Sequence, residues 1–241
     1  MIEPGDRVLL TGHDRTYFIR AGEGRLSTDL GYIDLTVLSG KEPGMRIPTH
    51  KGFEFLIKIP RPTDFFDHAK RSGAPMLPKD IGLVIARTGM NRNDDILDAG
   101  TGSGIAAIYF GNIARTVISY EHRPEFAKLA RANIGDAGLS NVTVLAEDVL
   151  EADGRFDVVH LDMTLTREHV HHVETLIRPG GYLACYTPFL EHMFTVFDSM
   201  TELFPKVHAY ELIEREMTRT KRGTRPSTSV SHSGYITIAR K

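Results

Sequence analysis

The stretch ILDAGTGSGIAAIYFGNIARTVISYEHR, residues 96–123, decides the fold. It runs from an apolar strand through three glycines to an apolar helical segment, then a second apolar strand and a glutamate. Short apolar runs bounded by turn residues read as strands buried on both faces, and the longer apolar segment between them reads as a helix. Strand, turn, helix and strand in that order build a parallel sheet with right-handed crossovers.

Gly100, Gly102 and Gly104 let the backbone turn tightly and approach a ligand that a Cβ would hold off. In open α/β sheets ligands bind beyond the C-terminal ends of the strands, where this turn lies. The dinucleotide fingerprint G-x-G-x-x-G would need a third glycine where Ile105 stands. Asp98, just before the turn, is poor company for a pyrophosphate and good company for an ammonium or a sulfonium. Glu121 ends the next strand, where a carboxylate can accept from both hydroxyls of a ribose. Asp148 follows the third strand in LAEDV, where it can accept from an adenine amino group. Three strand-end acids around a glycine turn describe a ribose and base with a cationic tail and no phosphate, which is S-adenosylmethionine. The candidate cofactor-binding residues are Asp98, Gly100, Thr101, Gly102, Ser103, Gly104, Glu121, His122, Asp148 and Val149.

Outward from this centre, strands and helices alternate. PKDIGLVIART reads as a helix with Pro78 in its first turn, PEFAKLARANI as a helix opened by Pro124, and REHVHHVETLI as a helix ended by an RPGG turn. HAYELIEREMTR and SGYITIARK read as two closing strands joined by a basic loop, an antiparallel hairpin at the sheet edge. Before residue 67 the pattern differs. DRVLL, TYFIR, YIDLTVL and FEFLIKI are short strands punctuated by glycine and proline, and IPRPTDFF reads as a connection. The expected fold class is α/β: a Rossmann-like, doubly wound, mostly parallel sheet with a C-terminal antiparallel hairpin at 67–241, plus a small β-rich N-terminal domain at 1–66.

The chain of 241 residues is 41% hydrophobic and 25% charged, ordinary for a globular protein. No apolar run approaches the roughly 20 residues of a membrane-spanning helix. The start, MIEPGDRVLLTG, lacks a basic region followed by an apolar core, so no secretory signal is expected. The single cysteine, Cys185, sits in the apolar run YLACYTP and reads as a buried core thiol; a reducing cytoplasm fits. The formal net charge of −2 does not announce a nucleic-acid binder, but REMTRTKRGTR, residues 215–225, is locally basic. The candidate RNA-contacting residues are Arg219, Arg222 and Arg225 there, and Lys79 at the end of a smaller basic stretch.

A narrower resemblance covers nearly the whole chain. GDRVLL, PKDIGLVIA, LDAGTGSG, VISYEHRPEFAKLARANI, VVHLDM, PGGYLACYTPFLEHM, YELIERE and RPSTSVSHSGYITIAR fall in the order and spacing of the tRNA (adenine-58-N1) methyltransferase family, within the class I S-adenosylmethionine-dependent methyltransferases. The resemblance implies methyl transfer to N1 of an adenine in the T-loop of tRNA, and a homotetramer. Three places depart from the family pattern. Leu77 stands where an aromatic residue or histidine usually precedes Pro-Lys-Asp. LDMTLTREH lacks the usual Pro-Trp pair. Thr228 stands near a usual histidine, with His232 matching only the later one. All three flank the family's substrate pocket, so a small-molecule acceptor, another RNA site or a silent RNA-binding paralogue remain alternatives.

Adenine N1 carries its own lone pair and becomes cationic on methylation, so a nearby carboxylate stabilises the charge that develops and can take a proton from N6. Asp162, at the end of VVHLD, is the catalytic candidate. His169 and His172 lack the companions of a metal site and read as surface residues, and no metal is expected. FLEHMFTVF reads as an aromatic stripe packed into the core.

Overall fold

The computed structural model describes residues 1–227 and 232–241. The position of Thr228 therefore lies outside the described residues. Two compact units emerge: residues 1–69 with 133–138, and residues 70–132 with 139–241. The break falls three residues beyond the expected 66/67 boundary, and the end of one helix clusters with the first unit.

The first unit is built on a four-stranded antiparallel sheet. The strands of this unit are β1 (Arg7–Gly12), β2 (Arg15–Arg20), β3 (Arg25–Thr28), β4 (Gly31–Asp34), β5 (Arg46–Pro48) and β6 (Glu54–Lys58). The sheet order is β2-β1-β6-β5, with β3 and β4 forming a separate hairpin. Val8, Leu10, Ile33, Phe55 and Ile57 make its core. The stretch expected to be a plain connection instead forms α1 (Pro62–His68). Pro62 occupies its first turn, where a missing N–H does no harm, and Phe65 is buried.

The second unit carries α2 (Pro78–Thr88), β7 (Asp95–Ala99), α3 (Ile105–Gly111), β8 (Thr116–Tyr120), α4 (Pro124–Asp136), β9 (Val142–Leu145), β10 (Phe156–Leu161), α5 (Arg167–Leu176), β11 (Ile177–Thr187), α6 (Leu190–Thr201), β12 (Val207–Glu211), β13 (Met217–Thr220), β14 (Gly223–Pro226) and β15 (Tyr235–Arg240). The seven-stranded sheet has the order β12-β15-β11-β10-β7-β8-β9. The strands from β7 to β11 pair in parallel, and β15 runs antiparallel to both of its neighbours. The chain leaves β7 toward β8 and β9, then returns to its other side through β10 and β11. That reversal marks the ligand-binding end of such a sheet.

Several details differ from the sequence reading. The RPGG segment is not a turn closing α5; it lies inside β11, and the register with β10 shifts there. The expected long strand from residue 208 ends at Glu211, and β15 inserts between β12 and β11, so of the two closing strands β12 is the edge and β15 is interior. The basic loop holds its own exposed hairpin, β13 and β14. On α6, Met193 and Val196 are buried, but Phe189, Leu190 and Phe194 are exposed, so the aromatic stripe is only half core.

Gly100 adopts φ +82°, and any Cβ there would overlap the carbonyl oxygen of Asp162. A Gly100→Ala substitution meets both the left-handed backbone penalty and that overlap. It is expected to cost about 2 kcal/mol or more and to lower Tm by about 4–8 °C in thermal unfolding. An unchanged Tm would mean that the turn relaxes freely.

Candidate active site

The site starts at a buried polar row across three strands. Ser119, Asp98 and His160 are register partners on β8, β7 and β10. Ser119 Oγ donates to Asp98 Oδ2 at 2.5 Å, and His160 Nδ1 lies 2.7 Å from Asp98 Oδ1. Thr101 Oγ1 extends the row, 2.6 Å from Ser119 Oγ. Asp98 and His160 are almost fully buried. Phe110 of α3 meets the His160 ring edge-on. A carboxylate held on both oxygens keeps one orientation, which is what a rigid acceptor for a cation requires.

Beyond Asp98 the glycine turn opens. Gly104 N–H donates to Thr101 O at 2.8 Å, and Gly104 caps α3 with φ +81°. Gly102 N–H donates to Glu121 Oε2 at 2.9 Å, tying the turn to the end of β8. Ser103 Oγ accepts from Ser72 N–H at 2.9 Å, which draws residues 72–76 over the cleft. The Asp162 N–H donates to Ala99 O at 2.8 Å, so the end of β10 lies against the same turn.

One cleft thus brings together Asp98, Gly100, Thr101, Gly102, Ser103 and Asp162. Two of its walls escaped the sequence reading. His160 had no spacing signal in an apolar strand. The segment Ser72–Met76 was not singled out, although Leu77 directly after it was placed beside the family's substrate pocket. Arg123 and Phe126 also line the cleft.

The other cofactor candidates are placed differently. Glu121 is buried and accepts from the Arg123 guanidinium at 2.8 and 3.1 Å. Burial pushes its carboxyl up, but the bonds from Arg123 and the Gly102 N–H outweigh that and hold it below its ordinary value. His122 is largely exposed, 3.6 Å from Glu121. Asp148 is exposed and caps a short 3-10 turn, accepting from Leu150 N–H at 2.9 Å, with Val149 buried beneath it. Neither Asp148 nor Val149 lines the cleft containing the glycine turn.

Asp162 makes no side-chain hydrogen bond among the described residues. Burial pushes its carboxyl up to about 6; His160 opposes the shift, and the Asp98 carboxylate reinforces it. Tyr186, at the end of β11, is pushed up to about 12 by burial and by the carboxylates of Asp80 and Asp162.

The remaining residues singled out in the sequence are placed as follows. Arg219, Arg222 and Arg225 lie on the exposed β13–β14 hairpin. Lys79 is not free to meet a substrate, because its side chain is 7% exposed and its ammonium is bound to Asp80, the Leu212 carbonyl and Ser233. Cys185 is fully buried, and burial pushes its thiol up, which leaves it inert. His169 closes a capping box with Thr166 at the start of α5, and His172 Nε2 lies 3.1 Å from Ala152 O. Among the described residues no His, Cys, Asp and Glu cluster suits a metal ion, and no helix is long and apolar enough to cross a membrane.

The donor set fits a cationic cofactor without phosphate. The turn's glycines leave room for close approach, and the carboxylates of Asp98 and Asp162 line the same cleft, with the Arg123 guanidinium at its wall. Residues 90–227 match the family model for a methyltransferase domain. The chain is 33% identical to a tRNA (adenine-57-N1/adenine-58-N1)-methyltransferase of Methanocaldococcus jannaschii, over 97% of this chain and 94% of that protein. It belongs to the tRNA (adenine-58-N1) methyltransferase family. A tRNA (adenine-58-N1)-methyltransferase of Thermus thermophilus is 26% identical over 78% of the chain and 77% of that protein. Two crystal structures share the fold over the full chain. A SAM-dependent O-methyltransferase of Thermotoga maritima has a TM-score of 0.87 at 30% identity, with 94% of that chain covered. A tRNA (m1A58) methyltransferase of Aquifex aeolicus has a TM-score of 0.80 at 21% identity, with 98% covered. The cofactor is S-adenosylmethionine.

A carboxylate that must stabilise a forming cation works only when ionised, and Asp162 ionises as pH rises through about 6. The single-turnover methyl-transfer rate is expected to climb about tenfold per pH unit below that value and to level above it. Asp162→Asn is expected to remove this limb and lower the rate by about 10²–10⁴. A limb near pH 4, as for an ordinary carboxylate, would count against the assignment.

Proposed function

We propose that the chain transfers a methyl group from S-adenosylmethionine to N1 of an adenine in the T-loop of tRNA, at position 58, with the neighbouring adenine as a second acceptor. The carrying observation is the Asp162 carboxylate, set against the glycine turn within one cleft with Asp98. The cofactor supplies an electrophilic methyl group on a sulfonium. Asp98, held by Ser119 and His160, accepts from the cofactor's ammonium. Glu121 takes the ribose hydroxyls once they replace Arg123 as its partner. Asp148 and Val149 are the proposed contacts at the adenine edge. Asp162 faces the acceptor base, stabilises the positive charge that forms on it and can hold the N6 proton.

N1 lies on the pairing edge of adenine, so the base must leave the folded tRNA elbow, at a cost of a few kcal/mol. The rest of the RNA is held by shape and by phosphate contacts. Arg219, Arg222 and Arg225 serve this role on the exposed hairpin. Because β12 runs parallel to β11, the hairpin leaves the sheet at the end where the cleft opens. The exposed Phe189, Leu190 and Phe194 on α6 support assembly of copies into the family's homotetramer. The single buried cysteine supports a cytoplasmic setting.

A second reading, transfer to an oxygen acceptor, rests on the similarity to the Thermotoga O-methyltransferase. Labelled S-adenosylmethionine and an unmodified tRNA transcript, followed by nucleoside mass spectrometry, separate the two. The expected product is 1-methyladenosine in the T-loop. A 2′-O-methyl nucleoside, or no product with the cofactor still bound, would overturn the adenine-N1 reading. Reversing charge in an Arg222→Glu/Arg225→Glu variant is expected to weaken tRNA binding and to reduce the slope of log Kd against log salt by about 2. An unchanged slope would remove the hairpin from the RNA interface.

A further inference from the structure

Both feet of the basic hairpin are fastened at one buried charge cluster. Leu212 follows β12 and Ser233 precedes β15, so together they bracket the hairpin. Lys79 Nζ donates to the Leu212 carbonyl at 2.7 Å, to Ser233 Oγ at 2.6 Å and to Asp80 Oδ1 at 2.7 Å. All three ammonium donors are thereby used. Ser233 Oγ donates to Asp80 Oδ2 at 2.6 Å, so both Asp80 oxygens are used as well. Asp80 is fully buried at the start of α2. The Ser233 carbonyl accepts from Tyr186 Oη at 2.7 Å, and a side chain at Gly234 would overlap the Tyr186 ring. Across the feet, His232 Nδ1 lies 2.8 Å from Glu211 Oε1.

A buried ion pair adds little net stability, because desolvation consumes most of the Coulombic gain. A site that needed only stability would be served as well by apolar side chains. Here the pair fixes place: segments near residues 79, 212 and 233 meet at one point. The hairpin strands themselves are exposed along their whole length, so their direction depends on their feet.

We infer that Lys79, Asp80 and Ser233 are positioning residues that hold the hairpin so that its arginines meet RNA while the acceptor base reaches the cleft. This rests on the reading of the chain as a tRNA-modifying enzyme. Lys79 thus serves RNA binding without touching RNA.

The test uses the full chain with Ser233→Ala, which removes two links and leaves the Lys79–Asp80 pair and the Lys79–Leu212 bond in place. Amide hydrogen exchange over residues 213–227 is expected to quicken about tenfold without RNA, and KM for tRNA to rise about tenfold, the scale of a lost hydrogen bond to a charged group. The Kd for S-adenosylmethionine and the Tm are expected to stay near wild type. Ser233→Thr, which keeps the hydroxyl, is expected to restore both readouts. Unchanged hairpin exchange and unchanged KM would overturn the inference. So would a uniform rise in exchange across the sheet with an equal loss of cofactor affinity, which would mark a purely stabilising cluster. If the wild-type chain makes no product on tRNA, the functional reading fails, and the exchange comparison still decides whether the cluster holds the hairpin.

Discussion

The Asp162 carbonyl lies where a Cβ on Gly100 would be, and the Asp162 N–H donates to Ala99 O. That approach brings the end of β10 onto the turn after β7. Asp98 and Asp162 then share one cleft, although they come from strands far apart in sequence. Two carboxylates in one poorly solvated place disfavour each other's charge, and Asp162 is raised to about 6 as a result of burial and of that neighbour. A carboxylate near its ionisation point responds strongly to a cation, and methyl transfer to a neutral nitrogen creates one. The glycine therefore does more than permit a turn: it lets the two carboxylates share one cleft.

The charge of the chain is distributed by function rather than by average. A net charge of −2 conceals an acidic cofactor cleft and a basic hairpin. On the proposed function, each region faces a ligand of opposite sign. The buried Lys79–Asp80 pair lies at the feet of the hairpin, bonded to Leu212 and Ser233. His232 gains stability from Glu211 through a raised pKa, so that link at the hairpin base is complete below the ordinary histidine range and is lost as pH rises past it.

The parallel sheet was legible because short, mostly apolar runs alternate with helical segments and the glycines punctuate them at the turn after β7. The N-terminal strands were legible from alternation, but PTDFFDH was not seen as a helix, because two prolines so close together read as extended chain. The two ends of the sequence motif fared differently in space. Asp98, the turn and Asp162 meet, since topology alone brings strand ends together. Asp148 lies outside that cleft, where its side chain caps the turn after β9, a local bond that carboxylates often make. His160 was missed because its partner is 62 residues away, and no local pattern records such a pair. Lys79 was legible as a charge but not as a buried one, for the same reason.

Carbon-13 NMR of the Asp162 carboxyl carbon, titrated in the free protein and with S-adenosylmethionine or S-adenosylhomocysteine, tests most directly whether cofactor and carboxylate share the cleft. The expected free value is about 6, with S-adenosylmethionine lowering it more than S-adenosylhomocysteine, because only the former carries the sulfonium charge. A carboxyl that titrates near 4, or that responds equally to both ligands, would contradict the placement of Asp162 beside the transferred methyl group.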